Sequence, residues 1–317
     1  MGATVSDLIA TTLRNRKRAV ADQITNHNAL LARLKRNKRL REVANGGRTL
    51  FEPLLTGTNS SVQFFSGYDE FNPPGADQET VDAAEYNWKQ LGGFASISGL
   101  EEIQNSDKHA AVDLAEARIN QLEANIANSM ATSLYSNGTG SGSKEFGGLQ
   151  LLIADDPTAA GTVGGINQVT QTFWQNQYSA AAATTAATIT HRMNLMDLAV
   201  MRGTDQVDLI LADNDMYLYY LESLQSIQRI SSAEMAEAGF NSVKFRNADV
   251  VYDSACPNLH MYFVNTKYIG FRYAPGHWFD VEEPRKVINA NYKVTPMWVA
   301  GNLTCNNRAR QGVIIGS

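Results

Sequence analysis

The 317-residue sequence has little of what marks secreted, membrane-spanning or disulfide-linked proteins. Cys256 and Cys305 are its only cysteines, too few for a disulfide framework, which indicates a reducing compartment. No apolar run approaches membrane-spanning length, because Gln, Asp or Gly interrupts the longest stretches. The first residues lack the apolar core of a signal peptide and become charged soon after Leu13. We therefore expect a cytosolic protein, or one assembled in a cytosol, with no membrane partner.

Motifs of catalysis and cofactor binding are also missing. The five histidines are scattered, and none lies within metal-ligand spacing of a cysteine. There is no Gly-x-Ser-x-Gly elbow, no His-Glu-x-x-His pair and no dinucleotide fingerprint. The acidic pairs Asp155-Asp156 and Asp213-x-Asp215 could hold a cation, but turns or helix caps are the favoured interpretation. We expect no enzyme activity, no catalytic residues, no bound metal and no cofactor.

Charge is distributed unevenly along the chain. Residues 1–48 carry 11 Lys or Arg against three acidic residues, whereas the remainder carries 16 basic and 29 acidic residues. A basic arm on an acidic body is typical of a segment that binds a polyanion or an acidic neighbour, although a solvated helical face has the same composition. Residues 4–43 read as one or two amphipathic helices whose apolar stripes, Val5–Leu13 and Leu30–Leu40, are too sparse to form a core alone. The arm must therefore pack against something else.

The most regular pattern lies between Asp107 and Asn137. Its apolar residues recur every three or four positions and so share one face of an α-helix: Val112, Ala115, Ile119, Leu122, Ile126, Met130 and Leu134. Ser106 or Asp107 can cap its start, and Asn137-Gly138 supplies a left-handed stop. Such a helix is about 45 Å long, far above the average. We expect it to be the longest element of the fold.

Extended segments precede this helix. Arg48–Leu55 and Ser61–Tyr68 read as the two strands of a hairpin, with turn residues between them, and Asp82–Ile97 as a further extended stretch. The apolar side chains of the hairpin are Phe51, Leu54, Leu55, Phe64 and Phe65. Because an isolated two-stranded hairpin is marginally stable in water, this one needs a partner such as another subunit.

Alternating elements follow the long helix. Periodicity predicts helices at 186–202 and 216–230 around a buried strand at 207–212, an arrangement that indicates an α/β region. Further strands are predicted at 242–252, 259–264, 268–273, 277–282, 292–304 and 308–315.

This order of parts resembles the major capsid protein of tailed bacteriophages, which has the Hong Kong 97-type fold. The parts are a basic helical arm, a projecting hairpin, a strand, a long helix, an α/β region and a closing pair of strands. Local sequence supports the resemblance: Gly147–Ile153, Val163–Asn167 and Phe173-Trp174 are similar to the junction after the long helix of such proteins. Asn302–Gly312 is similar to their final strand. The resemblance covers nearly the whole chain from Arg48 onward.

The resemblance implies an α+β fold, in which it names five parts. These are a basic N-terminal arm (1–47), an E-loop hairpin (48–80), a P-domain with the long spine helix (81–147), an A-domain (148–284) and a return to the P-domain (285–317). The implied function is that of the major capsid protein, which assembles as hexamers and pentamers in the bacterial cytoplasm into the icosahedral shell of the virion around double-stranded DNA. The implied partners are a scaffolding protein, a portal and the packaged DNA, and a cement protein is left open. The scaffolding protein is expected to be a separate chain, since only 47 residues precede the hairpin.

Two sets of contact residues follow from this resemblance. The E-loop is expected to contact a neighbouring subunit through Phe51, Leu54, Leu55, Phe64 and Phe65. The arm is expected to contact neighbours or DNA through Leu30, Leu31, Leu34, Lys35, Arg36, Lys38, Arg39 and Arg41. Neighbours are favoured because the leucine stripes are apolar in a way that a DNA-binding tail need not be. Some family members join subunits covalently through a hairpin Lys and a distant Asn, but residues 48–78 contain no Lys.

Two other functions remain open at this stage. The alternative is a nucleic-acid-binding protein that uses the basic arm, although the acidic remainder and the lack of interleaved aromatic residues in the arm argue against it. An α/β enzyme without a recognisable local motif ranks last.

Overall fold

Two six-stranded β-sheets organise the part of the chain that this computed structural model describes, residues 28–43, 46–55, 64–69, 81–104, 108–224 and 242–317. The helices are α1 (Ala29–Arg36), α2 (Gly99–Gln104), α3 (Lys108–Ser133), α4 (Leu149–Leu152), α5 (Ile189–Val200) and α6 (Asn214–Ser223), with shorter helical turns at Gly140–Ser143, Thr172–Trp174 and Arg308–Arg310. Within the described ranges, no helix is long and apolar enough to cross a membrane.

The described part of the chain also contains sixteen strands, of which four lie between α1 and α2 and eight follow α6. They are β1 (Leu40–Glu42), β2 (Thr49–Leu55), β3 (Val81–Asn87), β4 (Lys89–Ser98), β5 (Thr162–Val163), β6 (Ile166–Asn167), β7 (Gln177–Ala182), β8 (Leu209–Ala212), β9 (Ser242–Phe245), β10 (Ala248–Tyr252), β11 (His260–Val264), β12 (Ile269–Tyr273), β13 (Asp280–Val281), β14 (Arg285–Lys286), β15 (Tyr292–Cys305) and β16 (Gly312–Gly316). The expected α+β class is confirmed.

Helix α3 is the long helix that the sequence predicts. Its 26 residues correspond to a length of about 39 Å. Its buried face consists of Ile119, Ile126 and Met130, as expected, and continues to Leu134 just beyond the helix. The helix packs closely on β4, since a Cβ atom added to Gly93 would lie only 2.6 Å from Leu122 Cδ1. The side chains of the first turns lie outside the described residues.

The first sheet is built around β15. This 14-residue strand pairs antiparallel with β4 along ten residues on one edge, and with β12, β13 and β14 on its other edge. Strand β1 adds to the far side of β12 in parallel register. The prediction of a helix through residue 43 is wrong here: α1 ends at Arg36, Lys38 has a left-handed φ of 55°, and Leu40–Glu42 is a strand. The left-handed residue turns the chain out of the helix and into the sheet.

The second sheet has the strand order β7-β16-β11-β8-β10-β9. Its side chains alternate between two cores: Leu209 and Leu211 face the core shared with the first sheet, whereas Ile210 and Ala212 face a separate core that α5 and α6 cover. Helix α5 confirms the predicted helix at 186–202, while α6 begins earlier than predicted and ends at Ser223. Residues 225–230 of that second predicted helix lie outside the described part.

Three strand predictions need correction. The stretch 242–252 forms two antiparallel strands, β9 and β10, because Arg246 adopts a left-handed φ of 52° between them. Only residues 280–281 of the stretch 277–282 are in a strand. The stretch 308–315 begins with a helical turn and becomes β16 only at Gly312.

The two sheets do not follow the expected domain segments strand by strand. Strand β16, the end of the segment 285–317 expected to return to the P-domain, lies in the second sheet between β7 and β11. Conversely, β12 lies in the first sheet, although it falls inside the segment 148–284 assigned to the A-domain. The chain thus crosses between the sheets at 265–268 and again at 306–311.

The fully buried side chain of Arg308 holds the second of these crossings. Its guanidinium donates hydrogen bonds to the carbonyls of Leu152 (2.6 Å) and Trp174 (3.2 Å) and to the side-chain oxygens of Gln168 (3.0 Å) and Asn176 (3.1 Å). Burial lowers its pKa from the ordinary arginine value. These four acceptors are all neutral, so hydrogen bonds rather than an ion pair compensate the buried charge.

We expect helix α3 to tolerate no break. Proline at Ile119 would remove a backbone hydrogen bond within the helix and the buried isoleucine, at a cost of about 3 kcal/mol or more for the proline alone. Ile119→Pro should therefore abolish soluble folded protein, whereas Gln121→Ala on the exposed side should leave the midpoint of urea unfolding nearly unchanged. Normal folding of the proline variant would contradict the assigned role of α3.

Candidate assembly surfaces

The hairpin before the long helix is formed by β2 and β3, not by the two segments that the sequence predicts. Thr49 pairs with Asn87 and Leu55 with Val81, in continuous antiparallel register. Residues 64–68, the described part of the predicted second strand, form no strand. A turn begins at Ser66 instead, where the Asp69 backbone N–H donates a hydrogen bond to the Ser66 carbonyl at 2.9 Å. The partner strand β3 lies later in the chain, and its Ala84 and Tyr86 are buried in the same core as Leu50 and Leu54 of β2.

Buried polar contacts fix the base of this hairpin to the first sheet. Glu52, which is buried, accepts two hydrogen bonds from the Arg272 guanidinium on β12, at 2.6 and 3.1 Å. The Thr304 hydroxyl on β15 donates to the same carboxylate at 2.9 Å. On the other strand, the Tyr86 hydroxyl donates to the Cys305 carbonyl at 2.8 Å, and burial raises its pKa well above the ordinary value. The described strands of the hairpin are therefore held against β12 and β15.

The five hairpin residues expected to contact a neighbour do not share one environment. Phe51 (59% exposed), Phe65 (65%) and the fully exposed Phe64 present apolar surface to solvent. Leu54, in contrast, is 4% exposed and packs in the core of its own chain, so its assignment as an intersubunit contact is wrong. The alternation of strand β2 turns it inward with Leu50. The side chain of Leu55 lies outside the described residues.

A second exposed apolar surface, absent from the sequence-based expectations, lies on the first sheet. Phe94 on β4 is 67% exposed and Trp298 on β15 is 41% exposed. They share the face opposite α3, because Gly92, two residues from Phe94, is directly paired with Trp298. A Cβ atom at Gly92 would overlap the Trp298 ring, so glycine is required there. The alternation of residues 91–95 in a strand predicts that Gly92 and Phe94 share one face. The sequence alone does not say which of the two faces α3 covers.

The leucines of the N-terminal arm are buried in their own subunit. Leu30, Leu31 and Leu34 on α1 have no exposed surface and belong to the main core. Their expected contact with neighbours or DNA is therefore wrong. Arg33 anchors the same helix to the second sheet, with its Nε atom 3.1 Å from Asp208 Oδ2 and its Nη1 atom 3.3 Å from Asp249 Oδ2.

Burial of the leucines leaves the basic side chains of the arm on the surface. Lys35, Arg36, Lys38 and Arg41 are exposed, and Arg39 is half-buried. The pKa of Arg39 is lowered, first by burial and then by the neighbouring charges of Arg41 and Arg272. The first apolar stripe of the arm, Val5–Leu13, lies outside the described residues.

The acidic pairs and the cysteines take structural positions. Asp156 accepts a hydrogen bond from the backbone of Thr158 at 2.9 Å, and Asp213 from the backbone of Leu259 at 3.0 Å. In the described segments, no three His, Cys, Asp or Glu side chains cluster as metal ligands would. Cys256 and Cys305 are buried free thiols, and burial raises the pKa of both.

Comparison with known proteins identifies the fold. No protein-family model matches the sequence, and no curated protein matches it. Solved structures do match over nearly the whole chain. The capsid of cyanophage A-1(L) covers 88% of this chain and 90% of its own, with a TM-score of 0.62 and 14% identity. The capsid of Myoviridae phage XM1 covers 90% and 92%, with a TM-score of 0.55 and 10% identity.

One further match is a shell of another kind. The holo-SrpI encapsulin complex from Synechococcus elongatus PCC 7942 covers 89% of this chain and 86% of its own, with a TM-score of 0.52 and 9% identity. The chain thus has the Hong Kong 97-type capsid fold that the sequence resemblance implied. At these identities, the likeness concerns the fold.

We expect the hairpin base to depend on the Glu52–Arg272 pair. Arg272→Ala would leave the Glu52 carboxylate buried without its cation, a change that typically costs about 3–5 kcal/mol of unfolding free energy. Arg48→Ala is the matched control, because that arginine lies just before β2 and is exposed. Urea unfolding should show a large loss for the first variant and a change within about 0.5 kcal/mol for the second. Equal stability of the two variants would contradict the anchoring role.

Proposed function

We propose that this protein is the major capsid protein of a tailed bacteriophage and assembles into the icosahedral head shell that encloses double-stranded DNA. The observation that carries the proposal is the Hong Kong 97-type fold over nearly the whole chain, with the hairpin and the long helix in place. The function is structural, and we assign the chain no catalysis and no cofactor.

The exposed apolar surfaces support an assembling subunit. The hairpin presents Phe51 and Phe64, and the outer face of the first sheet presents Phe94 and Trp298. Exposed aromatic side chains that lie close together, as on the first sheet, mark protein contact sites more often than single scattered ones do. Contacts between two different surfaces of identical copies can repeat and close into rings and shells.

The remaining partners belong to the same proposal. Neighbouring copies would form hexamers and pentamers of the shell, assembled in the bacterial cytoplasm and retained in the virion. A separate scaffolding protein, a portal and packaged DNA complete the set, and a cement protein is left open. Because an encapsulin complex shares the fold, the fold alone does not say what the shell encloses.

Electron microscopy of the expressed full-length chain tests the proposal. We expect closed shells or hexameric and pentameric rings, with the protein alone or with a candidate scaffolding protein. Shells filled with DNA in infected cells would distinguish a phage capsid from a shell with protein cargo. Monomers under every condition tested would overturn the proposal and favour the nucleic-acid-binding alternative.

We expect assembly to depend on the exposed phenylalanines of the hairpin. Phe64→Ser combined with Phe65→Ser should give soluble, folded subunits that fail to form shells, because two apolar contacts would be lost at the interface. Phe64→Tyr with Phe65→Tyr keeps both rings and serves as the control. Circular dichroism would verify folding, and sedimentation would measure assembly. An unchanged particle yield from the serine variant would count against a hairpin contact.

We expect the shell to be held together without covalent bonds between subunits. Residues 49–88 contain no Lys to supply an amine, and both thiols are buried. Particles boiled in detergent, with and without reductant, should therefore run as one band near 34.7 kDa on a denaturing gel. A ladder of covalent oligomers would contradict this expectation.

A further inference from the structure

Helix α1 and strand β1 carry the most concentrated positive charge in the described part of the chain. Residues 33–41 contain six Lys or Arg and no acidic residue. Of these, Lys35, Arg36, Lys38 and Arg41 are exposed, and we call these four side chains the basic patch. The charge is local, since the body of the chain after residue 48 is acidic.

The backbone that carries the basic patch is held in a fixed position on the subunit. Leu30, Leu31 and Leu34 bury one side of α1, and the two ion pairs of Arg33 join it to the second sheet. After the helix, the Arg41 guanidinium donates a hydrogen bond to the Lys38 carbonyl at 2.9 Å, and β1 continues the first sheet. The cations are therefore presented from a folded surface rather than from a loose tail.

The chemistry of the patch favours a phosphate backbone over a protein surface. Protein interfaces that are stable have an apolar core surrounded by polar residues. Between residues 28 and 43 no large apolar side chain is exposed, because Leu30, Leu31 and Leu34 are buried in the subunit's own core. Phosphate recognition needs only cations on long side chains, and such contacts carry no information about base sequence.

We propose that the basic patch binds the phosphate backbone of double-stranded DNA without sequence preference. This rests on the proposed function in one respect: a shell that encloses DNA brings the ligand to the patch at high local concentration. The competing partner is an acidic segment of a second copy, since residues 49–88 contain seven acidic and no basic residues. The tests below separate the two.

The first test measures the salt dependence of DNA binding by the full-length chain. Fluorescence anisotropy with a labelled 30-base-pair duplex of arbitrary sequence would be recorded between about 50 and 200 mM NaCl, where each phosphate contact contributes about 0.9 to the slope of log K against log salt. Replacing Lys35, Arg36, Lys38 and Arg41 by Gln should lower the slope by about 2 to 4 and weaken binding at low salt at least tenfold.

A matched control keeps the net charge equal. Replacing Lys144, Arg202, Lys244 and Lys286 by Gln removes four exposed cations that lie elsewhere on the surface. This control variant should keep the wild-type slope. An unchanged slope in the basic-patch variant, or the same loss in the control, would overturn the proposal, because the effect would then reflect the rest of the arm or net charge.

The second test separates DNA binding from assembly. If the proposal is correct, the basic-patch variant forms empty shells in normal yield while DNA-filled particles are lost. Loss of empty shells in the same proportion would overturn it in favour of an acidic neighbouring subunit. If the wild-type chain forms no shells but the patch variant still loses its salt-dependent DNA binding, the shell proposal fails and the DNA-binding inference stands.

Discussion

The arrangement of the two sheets depends on the buried guanidinium of Arg308. Its four acceptors belong to the connection between α4 and β7, so one side chain joins the end of β15 to a segment more than 130 residues earlier. The same connection carries Gly164, whose carbonyl accepts a hydrogen bond from the Glu85 backbone at 2.9 Å. The crossing between the sheets and the base of the hairpin are therefore coupled through a single stretch of chain.

The described strands of the hairpin, β2 and β3, are held to the same sheet. A two-stranded hairpin buries too little surface to hold its own direction in water. Here two polar contacts hold it to the first sheet: the Glu52–Arg272 pair on one strand and the hydrogen bond of the Tyr86 hydroxyl on the other. Their partners lie on β12 and β15, the central strands of the first sheet. The orientation of β2 and β3 is therefore fixed by the first sheet.

The local sequence pattern predicted those helices and strands whose periodicity is visible within one continuous segment. The period of three to four around Ile126 gave helix α3, and the extended run at residues 292–304 gave β15. The pairing of strands was harder to predict. The two strands of the hairpin are separated by residues 56–80, and no local feature indicates that β2 pairs with residues 81–87 rather than with the nearer segment 61–68. Burial of Arg308 also left no local signal, since arginine reads as a surface residue until its acceptors are known.

The N-terminal arm also shows that a local pattern does not specify the packing partner. Its leucine stripe was read correctly as an apolar face that needs a partner, but amphipathicity does not specify whether that partner is another subunit or the chain's own core. In the structure, Leu30, Leu31 and Leu34 pack in the core of their own chain, so only the basic side chains of this segment remain exposed. A surface that would have combined apolar and basic groups becomes a basic one.

The exposed surfaces then divide by chemistry, and this division has a consequence for how a shell would respond to its surroundings. Contacts through the exposed side chains of Phe64, Phe94 and Trp298 would be apolar, and apolar contacts weaken little when salt is added. Contacts between the basic patch and phosphate would depend on counterion release and would weaken steeply over the same range. Under the proposed function, assembly and DNA binding would thus depend on different forces, and added salt would change one without the other.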